Sequence, residues 1–264
     1  MNAMEKAPTP AEIYDDLFVP ALFAQWCSVV ADAAQLRPGE DVIDVACGTG
    51  VLAFAAADRV GPEGKVVGLD INPDMLAVAR RKETSIDWCE GRAEKLPFPD
   101  AHFDAVISQF GLMFFDDRPA AFRDFMRVLR PKGRLAVAVC DTLDHSPGYD
   151  ALARLLQRLF GDRIADAFRS PFVLGNPERL LSICSEAGIA DAKVTQQAGM
   201  VRFASIESLI STERACVWTL GGMLDQQQFE RLLAEAEQAL RPFVGPDGRV
   251  AFEMPALIVT ASKH

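Results

Sequence analysis

Apolar positions change period along this chain, and each change marks the passage from one element to the next. From Thr9 to Gln35 the residues Phe18, Leu22, Trp26, Val29 and Val30 recur at helical spacing, which predicts one or two amphipathic helices. Arg37-Pro38-Gly39 stops that pattern and turns the chain. Asp41–Ala46 is a β-rich run, followed by a glycine turn and an Ala-rich helix over Val51–Val60. After the loop Gly61-Pro62-Glu63-Gly64, Lys65–Asp70 reads as a second strand. Pro73–Glu83 reads as a helix, with Asn72 as N-cap and Pro73 at its first position. Ile86–Glu90 and Phe103–Ser108 are the third and fourth strands. Arg118–Leu129 is a helix with an apolar face of Phe122, Phe125, Met126 and Leu129. Pro131-Lys132-Gly133 ends it, and Arg134–Cys140 is a fifth strand with the weak alternation expected when both faces are buried. Strand and helix repeated in this order predict an α/β sheet paired in parallel through right-handed crossovers.

The second half is less regular. Pro147–Phe168 and Pro177–Ala187 look helical, and Ala192–Gln197 fits a sixth strand. Helices are predicted over Ile206–Ala215 and Asp225–Leu240, then a loop over Pro242–Gly248 and a final strand over Val250–Thr260. No repeat, low-complexity tract or linker divides the chain, so a single domain over 1–264 is expected.

Half of the 264 residues are apolar, enough for a large core. A net charge of −10 argues against a nucleic-acid partner, which would need clustered Lys and Arg, and gives no support for an anionic membrane surface. The start, Met1–Pro10, has no basic region followed by an apolar core, so no secretory leader is expected; no run approaches the roughly 20 apolar residues that insertion into a membrane needs. Cys27, Cys47, Cys89, Cys140, Cys184 and Cys216 are scattered, with no C-x-x-C pair and no adjacent histidine. They read as reduced thiols of a cytoplasmic protein without a metal.

The densest chemistry lies in Asp44-Val45-Ala46-Cys47-Gly48-Thr49-Gly50, between the first strand and its helix. Glycines there let the backbone turn sharply beside a ligand. Gly48-Thr49-Gly50-Val51-Leu52-Ala53 also fits G-x-G-x-x-A, and Asp70 stands where an acid meets ribose hydroxyls, so both features suit a dinucleotide equally. Asp44 separates the candidates. A pyrophosphate beside a carboxylate is repelled, whereas S-adenosylmethionine carries an ammonium and a sulfonium and no phosphate. The bland reading of Asp44 is a residue that caps the turn.

At this point the chain resembles the class I methyltransferases, and within them the group similar to the ubiquinone/menaquinone-biosynthesis C-methyltransferases. Val42–Gly50 matches the first motif, Val67–Leu76 the acidic-loop motif, and Gly91–Phe98 the adenine-side loop. Phe103–Val106 matches the fourth strand and Arg127–Arg134 the turn before the fifth, so the likeness covers residues 40 to 140 in order and spacing. The resemblance implies a Rossmann-like, seven-stranded, mostly parallel sheet whose last strand, placed at 250–260, runs antiparallel. In those terms 9–36 is an N-terminal helical cap, 40–141 the cofactor-binding core, and 147–187 with 205–240 helical lid insertions. It also implies S-adenosylmethionine contacts at Asp44, Ala46, Cys47, Gly48 and Gly50, at Asp70, Ile71 and Met75, at Arg92, Ala93 and Glu94, and at Gln109. Two positions depart from the pattern: Ala46 replaces a frequent glycine, and Arg92 stands where an acid often faces the adenine amino group.

Methyl transfer from a sulfonium is an in-line displacement, in which positioning alone can contribute about 7–11 kcal/mol. A base matters only where the nucleophile must lose a proton. His145, after the fifth strand, is the candidate base; Tyr14 and Asp116 have weaker claims, and the resemblance places Tyr14 over the cofactor. Phe110, Met113, Phe114 and Phe115 form an apolar loop that suits either plain core or, with Tyr14, a substrate pocket. The expected function is methylation of a small apolar or aromatic acceptor at carbon, oxygen or nitrogen. The alternatives are a noncatalytic S-adenosylmethionine binder and a nicotinamide-dependent dehydrogenase. The extra helices suit a lid, a homodimer interface or sheet coverage alike.

Overall fold

The computed structural model describes residues 8–264. All but the end of the Met1–Pro10 segment, read above for a leader, therefore lies outside the described residues. The chain enters through α1 (Pro10–Ile13), where Thr9 and Glu12 close a capping box, and continues without a break into a π-helical run, Tyr14–Phe23. After a turn, α2 (Trp26–Ala33) buries Trp26, Cys27, Val30 and Ala31. The predicted one or two helices are thus two segments, the first widened to π geometry around Pro20.

Strands β1 (Asp41–Val45), β2 (Lys65–Asp70), β3 (Asp87–Glu90) and β4 (Phe103–Gln109) are parallel, joined by α3 (Val51–Val60) and α4 (Pro73–Lys82). Asn72 caps α4 as expected, its side chain accepting the Asp74 N–H at 2.9 Å. α5 (Arg118–Val128) is capped by Asp117 and leads into β5 (Leu129–Cys140). Here the expectation is corrected. Pro131-Lys132-Gly133 does not separate helix from strand; it kinks the strand itself. Lys132 takes a φ of +68°, and pairing with β4 jumps from Phe103–Leu129 to Ala105–Arg134.

Beyond β5, the predicted helix over 147–168 is broken by Gly161, at φ +81°, into α6 (Pro147–Phe160) and α7 (Asp162–Arg169). α8 (Pro177–Glu186) precedes β6 (Lys193–Gln197). β7 (Met200–Phe203) was not foreseen, since four residues are too few for alternation to register. α9 (Ile206–Ala215) and α10 (Gln226–Ala239) lie where predicted. The predicted final strand divides at Met254-Pro255 into β8 (Val250–Glu253) and β9 (Ala256–Ser262), because Pro255 has no N–H for a ladder. β8 pairs with β7 in a two-stranded sheet. β9 joins the main sheet.

That main sheet has seven strands in the order β3-β2-β1-β4-β5-β9-β6, and β9 runs antiparallel to both neighbours. The order reverses at β1, between β2 and β4, which opens a crevice at the carboxyl edge. Among the described residues no single helix is long and apolar enough to cross a membrane.

Candidate active site

The carboxyl edge is shaped first by the loop that leaves β1. Ala46 and Gly48 both take positive φ, +60° and +56°, and Gly50, at φ +93°, starts α3. A side chain on Gly50 would lie 2.5 Å from the Trp88 ring, so glycine is required there by packing as well as by backbone. A Cβ on Gly48 would instead meet the Tyr14 ring at 3.7 Å, an ordinary contact.

Asp70, at the end of β2, ties this loop to the next. Its two carboxylate oxygens accept the Gly48 N–H and the Asn72 N–H, each at 2.8 Å. Burial raises its pKa, and those backbone donors work against the rise. Asp44 is buried to 1% exposure, and neither of its oxygens completes a hydrogen bond. Burial first, then the Asp70 charge, pushes it well above the carboxylate range; the Ala53 N–H opposes this only slightly. Two buried acids stand at this loop, and among the described residues no Lys, Arg or His contributes to the titration of either, so the site favours positive charge.

On the β3 side, Gly91 to Glu94 form the rim. Arg92 points outward, half exposed, and pairs with Asp116 and Glu94 across the mouth. On the β4 side, Gln109 donates to the Phe23 carbonyl at 3.1 Å, while its amide oxygen is buried without a partner. Phe110 follows at φ +55°, a strained conformation for a side chain of that size.

These loops surround a cavity of about 540 Å3. One end is formed by Ala46, Gly48, Asp70, Ile71, Met75, Arg92, Ala93, Glu94 and Gln109. The middle is aromatic: Tyr14 stacks on Phe23 with ring centroids 5.3 Å apart, Phe23 meets Phe110 at 5.4 Å, and Trp218 approaches Tyr14 at 6.0 Å and Phe114 at 6.3 Å. The far end is closed by Tyr149 from α6, Phe168 from α7, Phe172, and Glu213, Cys216 and Thr219 from α9 and the turn after it.

Most expected site residues therefore meet in one cavity, including Tyr14, Phe110, Met113 and Phe114. Three cofactor candidates do not line it. Asp44 sits behind the loop, Gly50 packs under Trp88, and the Cys47 sulfur turns toward Gly68. His145 is also elsewhere. It borders a second hollow with Asp141, Gln196 and Asn176, its Nδ1 lying 2.9 Å from Asp141 Oδ2, and Phe172 alone is common to both spaces. His145 ends the 3-10 turn Leu143–His145 that follows β5.

Sequence reasoning missed Glu213. Ile206, Leu209 and Ile210 define the buried face of α9, and the residue seven places after Ile206 falls on that same stripe. A carboxylate on an apolar stripe was the available signal.

Comparison with known proteins bears on the same residues. A family model described as the ubiE/COQ5 methyltransferase family matches residues 12–170. A 2-phytyl-1,4-naphtoquinone methyltransferase of Synechococcus elongatus is 38% identical over 162 residues, spanning 58% of this chain and 67% of the relative. The ubiquinone/menaquinone biosynthesis C-methyltransferase UbiE of Pseudomonas savastanoi is 34% identical over 193 residues, 67% of this chain and 75% of the relative. In structure, a protein from Bacillus halodurans superposes with a TM-score of 0.59 at 24% identity, over 90% of this chain and 98% of that one, a likeness of fold.

Proposed function

The chain belongs to the ubiE/COQ5 methyltransferase family, and from that premise we propose that it methylates a flat, quinone-type ring held in the aromatic half of the cavity. S-Adenosylmethionine is the methyl donor, and the acceptor is a small molecule. The observation that carries the reading is the continuity of the cavity. One cavity is lined by Asp70, with buried Asp44 behind the adjoining loop, by the rings of Tyr14, Phe23, Phe110 and Trp218, and by Tyr149, Phe168 and Glu213.

The residues present fit this donor on their own chemistry. Asp44 has two buried oxygens without partners and Gln109 one, and all three can accept hydrogen bonds, those from a cationic donor most strongly. When bound, S-adenosylmethionine supplies an electrophilic methyl group on a sulfonium. Asp70 keeps Gly48 and Asn72 in place and retains lone pairs for hydroxyl donors. Ala93 and Glu94 edge the adenine side, with Arg92 held outward by Asp116. Tyr14, Phe23, Phe110 and Trp218 exclude water and align a planar acceptor by stacking. Alignment is the main catalytic contribution, on the scale of about 7–11 kcal/mol for a well-oriented pair.

The test is an anaerobic incubation of the protein with S-adenosylmethionine and 1,4-dihydroxynaphthalene, followed by mass analysis of the organic extract. A product heavier by one methyl in place of hydrogen supports the reading. Tight donor binding with no product from any hydroquinone or phenol would discard the quinone class.

A further inference from the structure

Glu213 is 3% exposed and lines the far wall of the cavity. The Thr219 hydroxyl donates to its Oε2 at 3.2 Å. The Tyr149 hydroxyl, buried beside it, completes no hydrogen bond, although it is near enough to hold the Glu213 carboxyl down somewhat. The other groups that face it are the thiols of Cys140, at the end of β5, and Cys216, after α9. No Lys, Arg or His among the described residues contributes to its titration. An acid so placed is costly to keep merely for packing, since glutamine would fill the same space without the charge. All of α9 also lies outside residues 12–170, so Glu213 belongs to the part of the chain beyond the family match.

We propose that Glu213 is the proton acceptor of the reaction, and that the methylated molecule carries an ionisable hydroxyl, as a phenol or hydroquinone does. The inference rests on the reading that the aromatic end of the cavity takes the acceptor. As the acceptor forms its bond to the methyl carbon, the carbon–sulfur bond breaks with its electrons left on sulfur, giving a neutral thioether. The acceptor releases one proton, from its hydroxyl or from the methylated ring carbon, and that proton ends on the Glu213 carboxylate. One positive charge and one negative charge disappear together, so the apolar wall never holds an uncompensated product charge. Burial raises the Glu213 carboxyl to about 7, so near neutrality it can both take a proton and give it up.

The test uses 1-naphthol and its methyl ether, 1-methoxynaphthalene, as probes at pH 8, with S-adenosylmethionine affinity measured on the same samples. The wild-type protein should hold the naphthol at least about tenfold more tightly, through a charge-assisted hydrogen bond that the ether cannot make. Glu213→Gln should reduce that preference to within about twofold, Glu213→Asp should restore part of it, and both should bind the donor as the wild type does. Equal binding of the two probes, binding of neither, or a preference that survives in Glu213→Gln would overturn the assignment. Failure of the wild-type protein to bind S-adenosylmethionine would instead strike at the site reading beneath it.

Discussion

The methyl group of Ala46 lies against Gly111 so closely that a Cβ at position 111 would stand 2.5 Å from it. Ala46 is held at φ +60°, in the region that suits glycine, while Gly111 has an ordinary φ of −103°. The usual distribution of side chains across this contact is reversed, and the two positions should be coupled. Ala46→Gly is expected to stabilise the protein by up to about 1 kcal/mol, and Gly111→Ala to destabilise it by roughly 1–3 kcal/mol. In the double variant the clash is gone, so the two effects should fail to add by at least about 1 kcal/mol, measurable by urea unfolding. Simple additivity would mean that the loop after β4 shifts to accommodate both side chains.

Asp70 ties the loop after β1 to the loop after β2. Asp70→Ala removes both anchors and should weaken S-adenosylmethionine by about 10- to 100-fold in calorimetry. Unchanged affinity would show that the loops keep their shape unaided.

Asp44 should stabilise the loaded protein and destabilise the empty one. Its folded pKa is raised, so the empty protein loses stability as pH rises above the ordinary carboxylate value of 3.8. Asp44→Asn removes that loss, and at pH 8 the ligand-free variant should melt above the wild type. The gain in Tm on adding saturating S-adenosylmethionine should then be smaller in the variant, because the neutral amide offers the cationic donor no charge to pair with. An equal gain in both proteins would remove Asp44 from cofactor recognition.

Glu213 gives a second pH signature with a defined window. Its carboxyl rises from 4.5 to about 7 on folding, so its stabilising share is complete below 4.5 and is lost as pH climbs through 7. That interval corresponds to roughly 3 kcal/mol. Urea midpoints taken from pH 4 to 8 should fall less steeply for Glu213→Gln, with the slope left by Asp44 and Asp70 remaining. Parallel curves would place the carboxylate in contact with water.

The cofactor half was legible because its signals are local. Gly48, Gly50 and Asp70 act within a few residues of strand ends, where motif, turn chemistry and backbone conformation all point the same way. For Asp44, a strand end alone does not say which side of a loop its side chain takes. The far end was not legible. Tyr149, Phe168, Glu213 and Trp218 come from four stretches that meet only when α6, α7 and α9 dock, and nothing in their spacing records that meeting. His145 follows the expected strand, yet it borders the neighbouring hollow, and its position within the turn after β5 is not written in the spacing.

β9 lies between β5 and β6 although it follows both in the chain. During synthesis, therefore, β6 emerges with no strand to pair with, and β5 presents an open, apolar edge until Ala256–Ser262 leaves the ribosome. About sixty residues separate the end of β6 from the start of β9, and at ordinary elongation rates they take several seconds to appear. Of the helices that line the far end of the cavity, α6 and α7 are already made by then, and α9 is made in that interval. A nascent chain of this protein can assemble its donor-side loops early, yet it cannot complete the sheet under them until its final strand arrives, which makes that interval the natural point for a chaperone to engage.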